Sequence, residues 1–378
     1  MTMIEYLGRC WAKRYLWAGF LAVVVIGMAS AIAGVVQNAA TVVHATSALG
    51  QAPVDKTPAN KNNIVGHTKC AECHKSEVAA WTKSPHGSKS YQMLSSTKAP
   101  EYAKAMSITG PLASSICGDC HATKTASVTI KGVSCESCHG AAGPAASGWL
   151  AVHSSFGNAE KDRTKETKEH YAARIAACGK LGMNRSADVY AIAHNCLSCH
   201  TVTNEKLVNA GHPTSKQFEL VEWAQGSVRH NFQLDQKVNA AAPSLWLDPL
   251  HNGAGRTAEN RKKLMYVVGK LVDLEISLRS RAKASEGDYG SAVSRRISSA
   301  VRALGKIDHV AEVKQALGAL GAIDRKALRK FAGDDAKLYG DAAENVAAAA
   351  KALSKANDGS KLGDVKVVKD AAGDPYSP

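Results

Sequence analysis

The sequence has few aromatic residues and few cysteines that could form disulfides. Aromatic residues make up 6% of the 378 residues, and only five are Phe, so little aromatic material is available for a large side-chain core. Eight of the ten cysteines fall in short repeated motifs, which leaves Cys10 and Cys178 and argues against a disulfide framework. Aromatic residues do not interleave with a basic patch. Despite a formal net charge of +14, we therefore expect no nucleic-acid partner.

What the sequence does have is a pentapeptide, Cys-x-x-Cys-His, that occurs four times. The paired thiols are Cys70 and Cys73, Cys117 and Cys120, Cys135 and Cys138, and Cys196 and Cys199, followed by His74, His121, His139 and His200. This is the attachment signature of c-type haem, in which both thiols bond to the porphyrin and the His binds the iron. Two structural zinc sites are the alternative, but zinc requires no His after each second Cys. The motifs predict four covalently bound haem c groups.

Four haems would also account for much of the basic charge. They would bring eight propionates, which lowers the formal balance from +14 to about +6. Each porphyrin is a large apolar body, so a region that wraps haems tolerates a shortage of aromatic side chains.

A long uncharged stretch near the N-terminus sets the expected compartment. It runs from Leu16 to Val36, and three basic residues precede it. About 20 apolar residues can span a bilayer, and the basic flank favours a cytoplasmic N-terminus. We expect a cytoplasmic segment at 1–14 and a single transmembrane anchor at 15–37, with the haem region on the periplasmic or extracellular side of the cytoplasmic membrane. A cleaved signal peptide ending near Ala31–Ala33 is the alternative and gives the same compartment.

Composition divides the rest of the chain into four parts. Residues 38–62 read as a polar linker, 63–252 as a tetrahaem domain of short segments, 253–355 as a helical bundle and 356–378 as a disordered tail. The bundle is predicted from apolar residues at helical spacing, such as Leu264, Val267, Leu271, Leu274 and Leu278. The expected fold class is therefore mainly α, with short helices and loops organised around four haems, a C-terminal helical bundle and an N-terminal transmembrane helix.

Histidines outside the motifs can supply the sixth ligand of each iron. His86 follows Pro85, which restricts the local backbone. His153 lies shortly after the third motif, His212 lies in a Gly-His-Pro turn, and His230 ends an amphipathic stretch. We predict these four histidines as distal ligands. His67, His194, Met93, Met106 and Met183 are the remaining candidates, and for Met packing is the commoner role.

Several strings carry a resemblance to a known family. Gly66-His67-Thr68-Lys69-Cys70, Ser84-Pro85-His86, Gly132-Val133-Ser134-Cys135-Glu136-Ser137-Cys138-His139-Gly140 and the following His153 resemble the tetrahaem cytochrome c-554 family. The similarity extends over roughly residues 63–235. It implies a mainly helical fold with haems in closely stacked pairs, and an electron carrier outside the cytoplasmic membrane.

The resemblance also implies ligand assignments. His153 would lie opposite His74 and His86 opposite His139, a histidine after the fourth motif would lie opposite His200, and the haem of His121 would be five-coordinate. This chain has two downstream candidates, His212 and His230, where one would suffice. The spare one could close the haem of His121. The predicted anchor and the C-terminal helical region lie outside the resemblance.

The favoured function is electron transfer through four covalently bound c-type haems, tethered to the cytoplasmic membrane, with redox proteins as unidentified donor and acceptor. One alternative is a multihaem oxidoreductase that acts on a small nitrogen or sulfur species at a five-coordinate haem. Another is a structural redox subunit of a larger complex or haem filament. Enzymatic activity is left open, with an electron carrier favoured.

Overall fold

The structure, a computed structural model, describes residues 61–162, 165–214, 218–225, 228, 258–285, 287–321, 323, 336–356 and 358–366. The predicted cytoplasmic segment and anchor, nearly all of the linker, most of the tail and His230 lie outside these residues. Within the described ranges, no helix combines the length and the apolar character needed to cross a membrane.

The region that carries the four motifs is built from short helices. They are α1 (His67–Ala71), α2 (Lys75–Lys83), α3 (Pro85–Ser88), α4 (Ala99–Ala105), α5 (Gly118–His121), α6 (Cys135–His139), α7 (Trp149–His153), α8 (Lys168–Lys180), α9 (Val189–His200), α10 (Glu205–Asn209) and α11 (Leu220–Gln225). Short 3-10 helices lie at Lys61–Asn63, Tyr91–Ser95 and Leu112–Ser114. Proline and glycine divide the segments: Pro85 opens α3, where the Ser84 hydroxyl accepts a hydrogen bond from the Gly87 N–H.

A small antiparallel hairpin precedes the third motif. Strands β1 (Thr123–Lys124) and β2 (Thr129–Ile130) pair with Thr123 opposite Ile130. Gly132 follows with a φ of 135°, and a Cβ at this position would lie 2.8 Å from the carbonyl oxygen of His86. Only glycine suits both the backbone conformation and this close approach. Gly132 therefore allows the segment just before the third motif to lie directly against α3.

In the described part of the C-terminal region lie four helices, three of them long. They are α12 (Ala258–Arg281), α13 (Asp288–Leu304), α14 (Ala311–Gly318) and α15 (Ala336–Ala356), followed by a 3-10 helix at Ser360–Leu362. The described part of the molecule is thus mainly helical, as predicted. Helix α12 is central, because α9, α11, α13 and α15 all pack against it. The apolar residues Leu264, Val267, Leu271, Leu274 and Leu278 are all fully buried on it.

Several polar residues of α12 are buried as well. Arg279 is 5% exposed and donates hydrogen bonds to Glu275 of α12 and Glu344 of α15. Glu275 also accepts a hydrogen bond from the Tyr190 hydroxyl of α9 at 3.0 Å. Arg279 and Glu275 are buried because helices cover α12 on several sides, and both are hydrogen-bonded, as buried charges require.

The helix of the fourth motif shares a core with the C-terminal helices. Val189, Ala193 and Leu197 of α9 lie in one cluster of buried side chains with the leucines of α12. All described residues belong to one compact unit, Pro53–Pro378. The predicted boundary at 252/253 falls outside the described residues, and the domain limits stay predictions.

Candidate cofactor site

One large cavity gathers the predicted site residues. Its volume is about 2810 Å³, whereas an ordinary small-molecule pocket has roughly 300–1,000 Å³. All eight motif cysteines line it, together with His74, His86, His121, His139, His153, His200 and His212. The other described histidines, His67, His170, His194 and His309, do not line it. Each predicted iron ligand that the structure describes therefore lines this one cavity, and His230 lies outside the described residues. The cavity has room for several large apolar groups.

Helical turns arrange the motifs toward this cavity. The third motif is the whole of α6, the second occupies α5, and the fourth forms the last turn of α9. Side chains three residues apart lie on one face of a helix, so the two thiols of such a motif face the same way. The nine cysteines in the described ranges form no disulfide. The thiols thus have the spacing and the free state that attachment to one porphyrin edge needs.

The residue after the first Cys anchors most of the motifs. At this position Gly118, Glu136 and Leu197 are buried in the second, third and fourth motifs. A Cβ on Gly118 would lie 1.9 Å from the carbonyl oxygen of Ala113, which explains the glycine. The sequence motif gives no reason for these residues, because the first x of Cys-x-x-Cys-His accepts any residue type.

The first and third motifs meet at Glu136. Its carboxylate accepts hydrogen bonds from the N–H groups of Val65, Gly66 and Ala142, at 2.8–3.0 Å. Val65 and Gly66 directly precede α1, so the third motif satisfies backbone donors at the start of the first motif's helix. The neighbouring Cys135 thiol lowers the pKa of Cys70, whereas the Cys70 thiol and burial raise the pKa of Cys135. These two motifs are therefore direct neighbours.

Among the described histidines that line the cavity, three pairs of rings lie close together. The ring centroids are 6.0 Å apart for His74 and His153, 6.1 Å for His86 and His200, and 6.3 Å for His121 and His212. Two rings that share one first-row metal ion through nitrogens at about 2.0–2.1 Å have centroids roughly 6 Å apart. The separations fit iron ligation by both rings of each pair.

Hydrogen bonds fix the tautomer of several of these rings. Nδ1 of His121 donates to the carbonyl oxygen of Ser90 at 2.9 Å, and Nδ1 of His139 donates to that of Asn184 at 2.9 Å. Nδ1 of His212 donates to the carbonyl of Pro213 at 3.0 Å. Because a carbonyl only accepts, Nδ1 carries the proton and Nε2 keeps its lone pair for a metal.

Burial keeps two predicted ligands neutral. Desolvation lowers the pKa of His200 to about 4, and neighbouring His86 and Arg296 add to this effect. Burial also lowers the pKa of His212. Both rings are therefore unprotonated near pH 7, which is the form that binds iron.

Aromatic side chains beside the fourth motif were not predicted as site residues. The ring of Phe218 stacks on that of His200 with centroids 4.4 Å apart, and Trp223 lies 6.2 Å away. Their position just after the fourth motif, in a chain with few aromatics, was the available signal.

The ring pairs differ in part from the ligand assignments that the resemblance implied. His153 does face His74. His86, assigned to the haem of His139, instead has its ring beside that of His200. His212 faces His121, whose haem the resemblance left five-coordinate. Although α3 lies against the segment that precedes the third motif, the ring of His86 lies beside the end of α9, which carries His200.

Comparison with known proteins agrees with this site. Residues 69–140 match the family model described as cytochrome c554 and c-prime. The match supports a resemblance to the cytochrome c554 family over this segment, which is less than half of the chain. It includes the first three motifs and His86, and it implies covalently bound haem c and suggests haem-based electron transfer. Searches of curated proteins and of solved structures found no match.

Proposed function

We propose that this chain is an electron-transfer protein with four covalently bound haem c groups, tethered to the cytoplasmic membrane with its haem region on the far side. The observation that carries the proposal is the set of three histidine pairs, about 6 Å between ring centroids, inside one cavity lined by all eight motif cysteines. Bound haem would supply one-electron redox chemistry at each iron.

The chain's own residues would hold the iron ligands in place. In this proposal His74 and His153 share one iron, His121 and His212 a second, and His86 and His200 a third. His139 then remains as the proximal ligand of the fourth. His230, the predicted ligand that belongs to none of these pairs, is assigned opposite His139.

Full coordination favours a carrier over an enzyme. A substrate that binds iron needs an open position, and a distal histidine occupies that position. The tether rests on the uncharged stretch at 15–37 and its basic flank. Redox proteins would donate and accept the electrons.

Haem content and carbon monoxide binding test the proposal. We expect four haems per chain and no carbon monoxide difference spectrum in the fully reduced protein. In the His212→Ala variant one haem should become able to bind carbon monoxide. His309→Ala is the matched control, because His309 lies outside the cavity. Binding by one haem in the unmodified protein would overturn full coordination and favour an oxidoreductase on a small nitrogen or sulfur species. Fewer than four haems would overturn the tetrahaem proposal.

The assignment of His86 has its own test. The His86→Ala variant should open one haem to carbon monoxide. His86→Ala with His200→Ala should still open only one haem, because both substitutions act on the same iron, whereas His86→Ala with His139→Ala should open two. The reverse result, two haems with His200→Ala and one with His139→Ala, would support the assignment implied by the family instead.

A further inference from the structure

His153, the predicted distal ligand, is the last residue of a very short helix. Helix α7 has five residues, and a helix of this length is marginal by itself. Its first residue, Trp149, is buried, but the residues after His153 run along the cavity. The C-terminal carbonyl groups of a helix have no partner within the helix and need one elsewhere.

Arg174 of α8 supplies that partner. Its Nη1 donates a hydrogen bond to the carbonyl oxygen of His153 at 2.9 Å. The Arg174 side chain is 3% exposed, so this bond forms away from competing water. A cation at the C-terminal end of a helix is also electrostatically favourable.

Glu166 orients the guanidinium. It accepts from Nε of Arg174 at 2.6 Å and from Nη2 at 2.5 Å, and its own side chain is 2% exposed. A second donor, Nδ1 of His170, lies 2.7 Å from the same carboxylate. The rings of Phe156 and Tyr171 flank the guanidinium at 5.1 and 5.4 Å. This bidentate pairing fixes the plane of the guanidinium, and Nη1 then lies where it donates to the carbonyl oxygen of His153.

We propose that Arg174, oriented by Glu166, is a positioning residue that holds His153 at the iron opposite His74. The inference rests on the proposed function, because it takes His153 as an iron ligand. Arg174 acts through the main chain of the ligand and touches neither ring. Its role is to keep the His153 ring bound through the reduced and oxidised states, so that the first haem stays closed to external ligands.

The test is the carbon monoxide reactivity of the reduced holoprotein. Arg174→Gln removes the charge and the fork, and we expect the ratio of His153 released to His153 bound to rise roughly tenfold to a hundredfold, as for loss of a hydrogen bond from a charged donor. Carbon monoxide should then bind one haem, which stays closed to carbon monoxide in the unmodified protein. Arg174→Lys keeps the positive charge, so it should release His153 less often than Arg174→Gln and bind less carbon monoxide. Glu166→Gln should give an intermediate effect and serves if Arg174→Gln does not fold.

The matched control is Arg279→Gln. Arg279 is buried to a similar degree and is also paired with carboxylate, that of Glu275 and that of Glu344, but it hydrogen-bonds no predicted ligand. It should lose stability without gaining carbon monoxide binding. A general loosening would instead make both arginine variants reactive, and that result would overturn the proposal.

A His153→Ala variant separates the two possible failures. If His153→Ala binds carbon monoxide at one haem but Arg174→Gln and Glu166→Gln behave like the unmodified protein, the positioning role is wrong and the ligand assignment stands. If His153→Ala also leaves carbon monoxide binding unchanged, His153 is not a ligand, and both the inference and this part of the proposed function fail.

Discussion

Replacement of Glu136 by Gln tests how the first and third motifs are held together. Oε1 of Glu136 accepts from the N–H groups of Val65 and Ala142, and Oε2 accepts from the N–H of Gly66. The side chain is 2% exposed, so water does not replace a lost acceptor. In Glu136→Gln one oxygen becomes an NH₂ group. At least one of the three backbone N–H groups then faces another donor.

The size of the effect follows from these contacts. A buried N–H without an acceptor costs about 1–3 kcal/mol. The other two hydrogen bonds lose the negative charge of their acceptor, which reduces each by about 1 kcal/mol. Glu136→Gln should therefore lower the free energy of unfolding by about 3–5 kcal/mol. This is a large part of the 5–15 kcal/mol typical of native proteins.

Urea unfolding of the holoprotein, followed by far-ultraviolet circular dichroism, measures this change. Glu72→Gln is the control, because Glu72 lies within the first motif but its side chain is 62% exposed and pairs with Lys69 at the surface. Loss of an exposed ion pair costs about 0–1 kcal/mol. If Glu136→Gln lowers stability by no more than Glu72→Gln does, the buried carboxylate does not hold the two motifs together.

Two further predictions concern the fourth motif and the Glu166 carboxylate. Leu197→Ala should lower the free energy of unfolding, measured in urea, by about 2–5 kcal/mol, because Leu197 is 1% exposed. Leu338 is 39% exposed, so Leu338→Ala should lower it much less, and equal losses would contradict the prediction. Arg174 holds the pKa of Glu166 below its usual range. This ion pair therefore stabilises the fold fully at pH values above the ordinary carboxyl pKa, and the stabilisation is lost as the pH falls through the lowered pKa of Glu166. Glu166→Gln should flatten the acid limb of stability against pH, and an unchanged limb would refute the assignment.

Local sequence patterns predicted the candidate ligands but not how they pair. The motifs name their cysteines and proximal histidines directly, and His86, His153 and His212 were found from their place next to a proline, a motif or a turn. Pairing depends on which distant segments meet. His86 and His200 are 114 positions apart in the chain, and nothing local relates them. The family resemblance supplied a pairing, and that pairing stays a prediction.

The residues that hold the motifs and the ligand in place could not be predicted, for a different reason. Glu136 and Arg174 read as ordinary charged residues, because sequence gives no sign that a charge is buried. Their partners are mostly backbone N–H and C=O groups, which every residue carries. An acidic residue at the first x of a Cys-x-x-Cys-His motif therefore acts as such an anchor only where backbone N–H groups at the start of another motif's helix lie against it. The sequence of the motif alone does not show this.

The C-terminal helices were predicted from their spacing, but their relation to the cofactor site was not. The composition changes near residue 253, and this suggested a separate bundle. Yet Val189, Ala193 and Leu197 recur every four residues on α9, so an apolar stripe continues into the fourth motif. That stripe needs an apolar surface, and α12 supplies it. The chain has few aromatic side chains to build a core beside the haems, so the fourth motif takes its core from the C-terminal helices. The position of His200 then depends on helices whose own sequences contain no haem motif.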